Sequence, residues 1–303
     1  MNAPQRSAGC DVSDVRLRAL DGCELAATLY APPGVAAPAQ IAVLHCGAGI
    51  AQMRYRHFAC FVARCGIALL TYDYRGVGRS RPASLRGYPA TIEDWAQYDC
   101  SAAIAWLRER YPRSEMVGIA HSIGALLQGA AHNACEQARI VMIGAHTGYW
   151  GDYRGRHRLT MTLMWHGIMP IVTRLLGYFP ACRLGLGDDL PGGVALQWAA
   201  RRTSDLRPRG EGAEQDRTRQ LLDRCATLER PVRMISISDD AFATEASAQR
   251  LLSYYPRLVL QRHLVIRPEE AGLRHLGHFG PFRRSAGAAL WPRIVAELGP
   301  QPA

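Results

Sequence analysis

The sequence predicts an α/β fold, a mostly parallel sheet flanked by helices and interrupted late by a helical cap insertion. Three observations lead there. The short apolar runs at 41–44, 67–72, 140–143 and 232–237 have the character of strands buried on both faces. Segments with helical spacing lie between them, and strands alternating with helices close into parallel sheets. From 146 to 209 the alternation stops, and large apolar side chains sit among prolines and glycines instead.

The elements follow in order. Two alternating runs, 15–20 and 24–30, flank the turn dipeptide Asp21-Gly22 and are expected to open the chain as a hairpin. The strand at 41–44 comes next. Residues 54–64 then set Tyr55, Phe58, Phe61 and Val62 at helical spacing. The strand at 67–72 runs into a turn that starts at Asp73 and ends at Ser80. A long amphipathic helix over 92–111 turns Trp95, Ala102, Ala103 and Trp106 inward. The apolar run from Met116 ends at Ala120-His121-Ser122-Ile123-Gly124 and leads into an Ala/Leu-rich segment of helical character. The strand at 140–143 follows.

Residues 146–209 carry Trp150, Met161, Met164, Trp165, Met169, Phe179 and Trp198 and are expected to cap the carboxyl edge of the sheet. The division is then a core of 1–145 and 210–303 with the cap between. Within the cap, 159–179 is apolar, but His166, Pro170 and Arg174 interrupt it and a span needs ~20 apolar residues, so no membrane span is expected. The strand at 232–237 ends in Ser238-Asp239-Asp240. A last strand at 258–266, a loop holding His275 and His278, and a closing helix over 286–298 complete the chain.

Composition narrows the function. The chain has 303 residues, 48% of them hydrophobic, enough for a sizeable core. Its formal charge is +10 and every cationic side chain is arginine, which excludes chemistry through a lysine Schiff base. The arginines are dispersed and do not alternate with aromatics, so no nucleic-acid partner is expected. Nine cysteines stand singly without a C-x-x-C pair, indicating neither a disulfide framework nor a zinc site. There is no Gly-rich phosphate loop, and no metal or cofactor is expected. Without a basic-then-apolar leader, the expected location is the cytoplasm.

The chemistry centres on Ser122. A serine at a tight strand-to-helix turn is lifted clear of both elements, and small neighbours such as Ala120 and Gly124 let strand and helix approach. The Ile123 amide then stands at a helix N-terminus, where it can face a developing oxyanion. A serine nucleophile needs a base, and the base needs an orienting carboxylate. Asp239 or Asp240, and His275 or His278, follow late strands in the order Ser, Asp, His.

With these pieces the chain resembles the serine-hydrolase branch of the α/β-hydrolase superfamily, most closely functionally undefined bacterial members. The likeness runs from Ile41 to the closing helix and rests on D-Y-R-G-V-G-R-S at 73–80, H-S-I-G at 121–124, S-D-D at 238–240 and G-H-F-G at 277–280. It implies Ser122 as nucleophile, Asp240 as acid and His278 as base. Asp240 is preferred because it opens a D-x-x-x-small turn, leaving Asp239 as a helix cap or solvent-facing charge. His278 is preferred for its flanking glycines, leaving His275 at the surface. Gly47, with Ala48 next, is the expected loop amide of the oxyanion hole beside Ile123. His121, Trp150 and Trp165 are candidate pocket walls, and Arg75 is expected to be ion-paired in place. The implied reaction is cleavage of a small-molecule carboxylic ester or thioester through an acyl-enzyme. Transfer of the acyl group to another acceptor, and a non-catalytic binding scaffold, are the alternatives; oligomeric state is left open.

Overall fold

The computed structural model describes residues 5–7 and 9–299. The hairpin of β2 (Cys10–Arg18) and β3 (Glu24–Ala31) closes at Asp21-Gly22, with Gly22 at φ 85°; β1 (Gln5–Ser7) pairs antiparallel outside it. Helix α1 (Arg56–Arg64) joins β4 (Gln40–His45) to β5 (Ile67–Tyr72), both buried almost throughout, as strands between two helical layers must be.

The long helix expected at 92–111 is α2 (Ile92–Asp94) and α3 (Ser101–Arg110) joined by a π turn, Trp95–Cys100. Thr91 and Asp94 cap its start reciprocally, each side chain accepting from the other's backbone N–H. The wider turn rotates the buried face, so Ile104 and Leu107 point inward and Trp106 is only half-buried.

Strand β6 (Glu115–His121) passes through a tight turn into α4 (Gly124–Leu127), and β7 (Arg139–Ile143) follows. The next stretch holds α5 (Gly155–Leu163) and α6 (Met169–Leu176), then β8 (Tyr178–Phe179) and β9 (Leu190–Pro191), then α7 (Gly192–Ala199) and α8 (Ala213–Thr227). It is not purely helical, since β8 and β9 pair as an antiparallel ribbon of their own. The chain returns to the main sheet with β10 (Pro231–Ile237), α9 (Glu245–Leu252), β11 (Val259–Ile266) and α10 (Arg284–Ala296). Among the described residues, no helix is long and apolar enough to cross a membrane.

The main sheet has the order β1-β2-β3-β5-β4-β6-β7-β10-β11, parallel from β5 onward. Strand β4 lies between β5 and β6, so successive connections leave it in opposite directions and open a crevice at the carboxyl ends. The last pair in the β4–β6 register is His45 with Ala120, which sets the loop after β4 directly beside the turn after β6. The segment around β9 closes on this edge. Asp188 N–H donates to Gly49 O, Asp189 pairs with Arg81 at 2.8 Å, and Pro191 packs on Gly76.

One expectation is corrected. Cys10 and Cys60 form a disulfide across 50 residues of sequence. It ties the start of β2 to α1, elements adjacent only in the folded chain, so cysteine spacing carried no sign of it.

Candidate active site

Ser122 has φ 59° and, among the described residues, is the one non-glycine residue with positive φ. That conformation carries strain and is kept only where the surroundings impose it. Here Ser122 N–H donates to Ile143 O on β7, and a Cβ on Gly124 would meet His45 O at 2.4 Å, so the helix can start this close to β4 only from glycine. The Ile123 amide is left without a hydrogen-bond partner among the described residues.

The candidate acid and base, Asp240 and His278, follow β10 and β11, beyond β7 in the sheet. His278 Nδ1 lies 2.7 Å from Asp240 Oδ2, with both residues buried. Asp240 Oδ1 accepts from the Phe242 and Ala243 amides at 2.8 and 3.0 Å, which is the turn its sequence suggested. Burial alone would raise the Asp240 pKa, but the hydrogen bond from His278, its charge and the two amides outweigh burial and hold it at about 2. Both side chains pack on Gly144, where a Cβ would sit 3.3 Å from either. Asp239 is neither a helix cap nor a free charge. It accepts from the Leu276 and Gly277 amides at 2.9 Å and pairs with exposed His275 at 2.6 Å, bracing the loop that presents His278.

The sequence reading missed His146. The Ser122 hydroxyl makes its hydrogen bond to His146 Nε2, at 2.9 Å, and none to His278. The His146 and His278 rings meet edge to face at 5.2 Å. His146 Nδ1 has no partner among the described residues, and burial first, then His278, pushes its pKa down to about 3. Among the described residues no carboxylate backs His146, whereas Asp240 backs His278. The one sequence signal of His146 is its place just beyond β7, the same placement that Asp240 has beyond β10.

A closed circuit of rings adjoins the two histidines. It runs from His146 to Trp198, Trp165, Tyr153, Phe242, His278 and back, with centroids 5.2–6.3 Å apart. Trp165 thus lies one ring removed from the site. Trp150 is outside the circuit, stacked under Arg158 and against His166.

His121 has a defined tautomer. Its Nε2 lies 3.1 Å from His278 O, which can only accept, so Nε2 carries the proton and Nδ1 accepts from Tyr55 Oη at 2.8 Å. Tyr55 Oη in turn accepts from Gly47 N–H at 3.1 Å. This relay ties the loop after β4 to the backbone of His278. It also corrects the expectation for Gly47, whose amide is committed to Tyr55; the Ala48 amide has no partner among the described residues. Arg75 is buried and paired with Asp21 and Asp99, as expected.

The family model for serine aminopeptidase S33, Hydrolase_4, matches residues 36–190, just over half of the chain. The chain belongs to this family. It is therefore a serine-dependent α/β-hydrolase, and the matched stretch contains β4, the loop after it and the Ser122 turn, while Asp240 and His278 lie beyond. No curated protein matches the sequence. Among solved structures, the Pyrococcus furiosus esterase Pf2001 is similar over 98% of both chains at 15% identity, with a TM-score of 0.55. An esterase domain from a Rhodothermus marinus protein matches 95% of this chain and 100% of its own at 18% identity and TM-score 0.53. The thioesterase domain from the curacin biosynthetic pathway matches 94% of this chain and 99% of its own, at 13% identity and TM-score 0.53. At such identities the likeness is one of fold.

Proposed function

We propose that this hydrolase cleaves carboxylic ester or thioester bonds of small molecules through an acyl-enzyme on Ser122. The carrying observation is the strained Ser122, with φ 59°, whose hydroxyl is held by His146, a ring in edge contact at 5.2 Å with His278, which a buried carboxylate backs at 2.7 Å. The Ser122 hydroxyl turns from His146 to His278, which takes its proton as the oxygen attacks the substrate carbonyl. The Ile123 and Ala48 amides hold the oxyanion. His278 then protonates the leaving alcohol or thiol, and the same residue activates the water that releases the acid. Residues 146–209 serve as the cap, and the Trp198, Trp165, Tyr153 and Phe242 rings offer an apolar face to the acyl group.

The test is pre-steady-state hydrolysis of p-nitrophenyl acyl esters of rising chain length. A burst of p-nitrophenol equal to the enzyme present is expected, with its slope lost in Ser122→Ala by about a thousandfold or more. Turnover unchanged in that variant would overturn the reading.

A further inference from the structure

We propose that the cavity between the first turns of α1 and α10 is a binding site for a phosphate-bearing group of the substrate. This rests on the hydrolase reading above and specifies its substrate class. The cavity holds about 390 Å³, and Arg54, Arg56, His57, Arg283 and Arg284 line it with no carboxylate among them. The four arginines are exposed and have no acidic partner among the described residues, a state that many arginines elsewhere share, so it is the gathering of four around one carboxylate-free cavity that marks the place.

Helix α10 points its N-terminus at the cavity, with Arg283 at its cap, Arg284 in its first turn and no acidic residue there. The helix dipole favours an anion at that end and disfavours guanidinium groups, so stability alone does not account for the two arginines. A bound anion would face that helix end and the guanidinium groups together. Helix α1 offers no such end, because it continues a 3-10 turn (Gln52–Tyr55) in which Gln52 N–H donates to Asp73 Oδ1 and Arg56 N–H to Met53 O. The geometry is fixed by aromatic packing between the helices, with Trp291 against Phe58 at 6.1 Å and Phe61 at 5.5 Å. His57 reports the field, its pKa lowered by burial and then by Arg56 and Arg284.

The cavity adjoins the catalytic machinery. Its floor includes Tyr55 and His121, two members of the relay to His278, and Ile50, which packs against Gly47. Phe279, next to His278, stands at its side and is 37% exposed. A substrate with its carbonyl at Ser122 and a charged leaving group at the arginines would cross this apolar floor. Thioesters on a nucleotide-phosphate carrier have that form, and free inorganic phosphate shares the chemistry.

The experiment is calorimetric titration of the folded Ser122→Ala protein, which binds without turnover, with inorganic pyrophosphate and with coenzyme A. Binding of both is expected, weakened about 10-fold or more by Arg54→Gln with Arg284→Gln. Arg108→Gln with Arg293→Gln removes the same charge from paired sites and is expected to leave binding unchanged. Tighter binding of coenzyme A than of pyrophosphate assigns a nucleotide carrier; equal binding assigns phosphate alone. Absence of binding at about 10 mM of either probe, or equal weakening in both double variants, would overturn the site. Because turnover plays no part, a positive titration with an inert Ser122 in the wild type would sink the hydrolase reading and leave the anion site standing.

Discussion

The Ser122 hydroxyl rests on His146 Nε2 at 2.9 Å, not on the histidine that Asp240 supports. The two rings are 5.2 Å apart, so His278 lies one ring away from the histidine that holds the hydroxyl. In the proposed mechanism the carboxylate decides their roles: His278 carries positive charge beside Asp240, while His146 stays neutral and holds the serine in a resting position. Replacing His146 by Ala removes one hydrogen bond worth about 1 kcal/mol from that resting state. Acylation by p-nitrophenyl acetate, followed by stopped flow, is then expected to be unchanged or up to about fivefold faster. A loss of about a thousandfold would make His146 the working base instead.

Three buried histidines make stability depend on pH. Burial lowers the pKa of His45 to about 3, as it does for His146, and takes His121 well below its ordinary value. The folded state keeps all three neutral, so below about pH 6.5 the unfolded chain binds more protons. Their contribution is complete above that pH and is lost as pH falls toward 3. Each loses about 1.4 kcal/mol per pH unit, roughly 4 for the three together. Asp240, held at about 2, adds to the loss only below about pH 4. Urea midpoints measured from pH 8 to 4.5 are expected to hold and then drop steeply below 6.5. A flat profile would mean these rings are not buried and neutral as described.

The Cys10–Cys60 bond closes a loop of 50 residues. A loop of that size corresponds to about 4 kcal/mol of stabilisation in the chain-entropy account. Denaturant unfolding with and without reductant should differ by about that amount, and Cys60→Ser should behave like the reduced protein. Equal midpoints in all three would show that the two sulfurs do not pair in solution. The same comparison bears on compartment, because reducing surroundings would remove this stabilisation.

The parts of this molecule that repeat or alternate were readable from sequence. Buried strands declare themselves by apolar runs, and Ser122 and Asp240 each follow one, whereas His278 lies beyond β11, a mostly exposed strand broken by Gln261, Arg262 and His263. What stayed hidden depends on neighbours distant in sequence. His146 gains meaning only because β7 lies between β6 and β10, which brings it to Ser122. The commitment of the Gly47 amide to Tyr55 comes from α1 packing beneath the loop after β4. Asp239 looked idle because its partners, the Leu276 and Gly277 amides, are brought to it by pairing of β10 with β11. The π turn at 95–100 shifted a face that simple helical spacing had assigned to Trp106.

Labelling with a fluorophosphonate probe tests the central claim most directly, comparing wild type, Ser122→Ala, His278→Ala and His146→Ala. Labelling should be stoichiometric in wild type, absent in Ser122→Ala, slowed by about a thousandfold in His278→Ala and retained in His146→Ala. Full-rate labelling of His278→Ala, or a folded wild type that never labels, would contradict the assignment of Ser122, His278 and Asp240 as one catalytic unit.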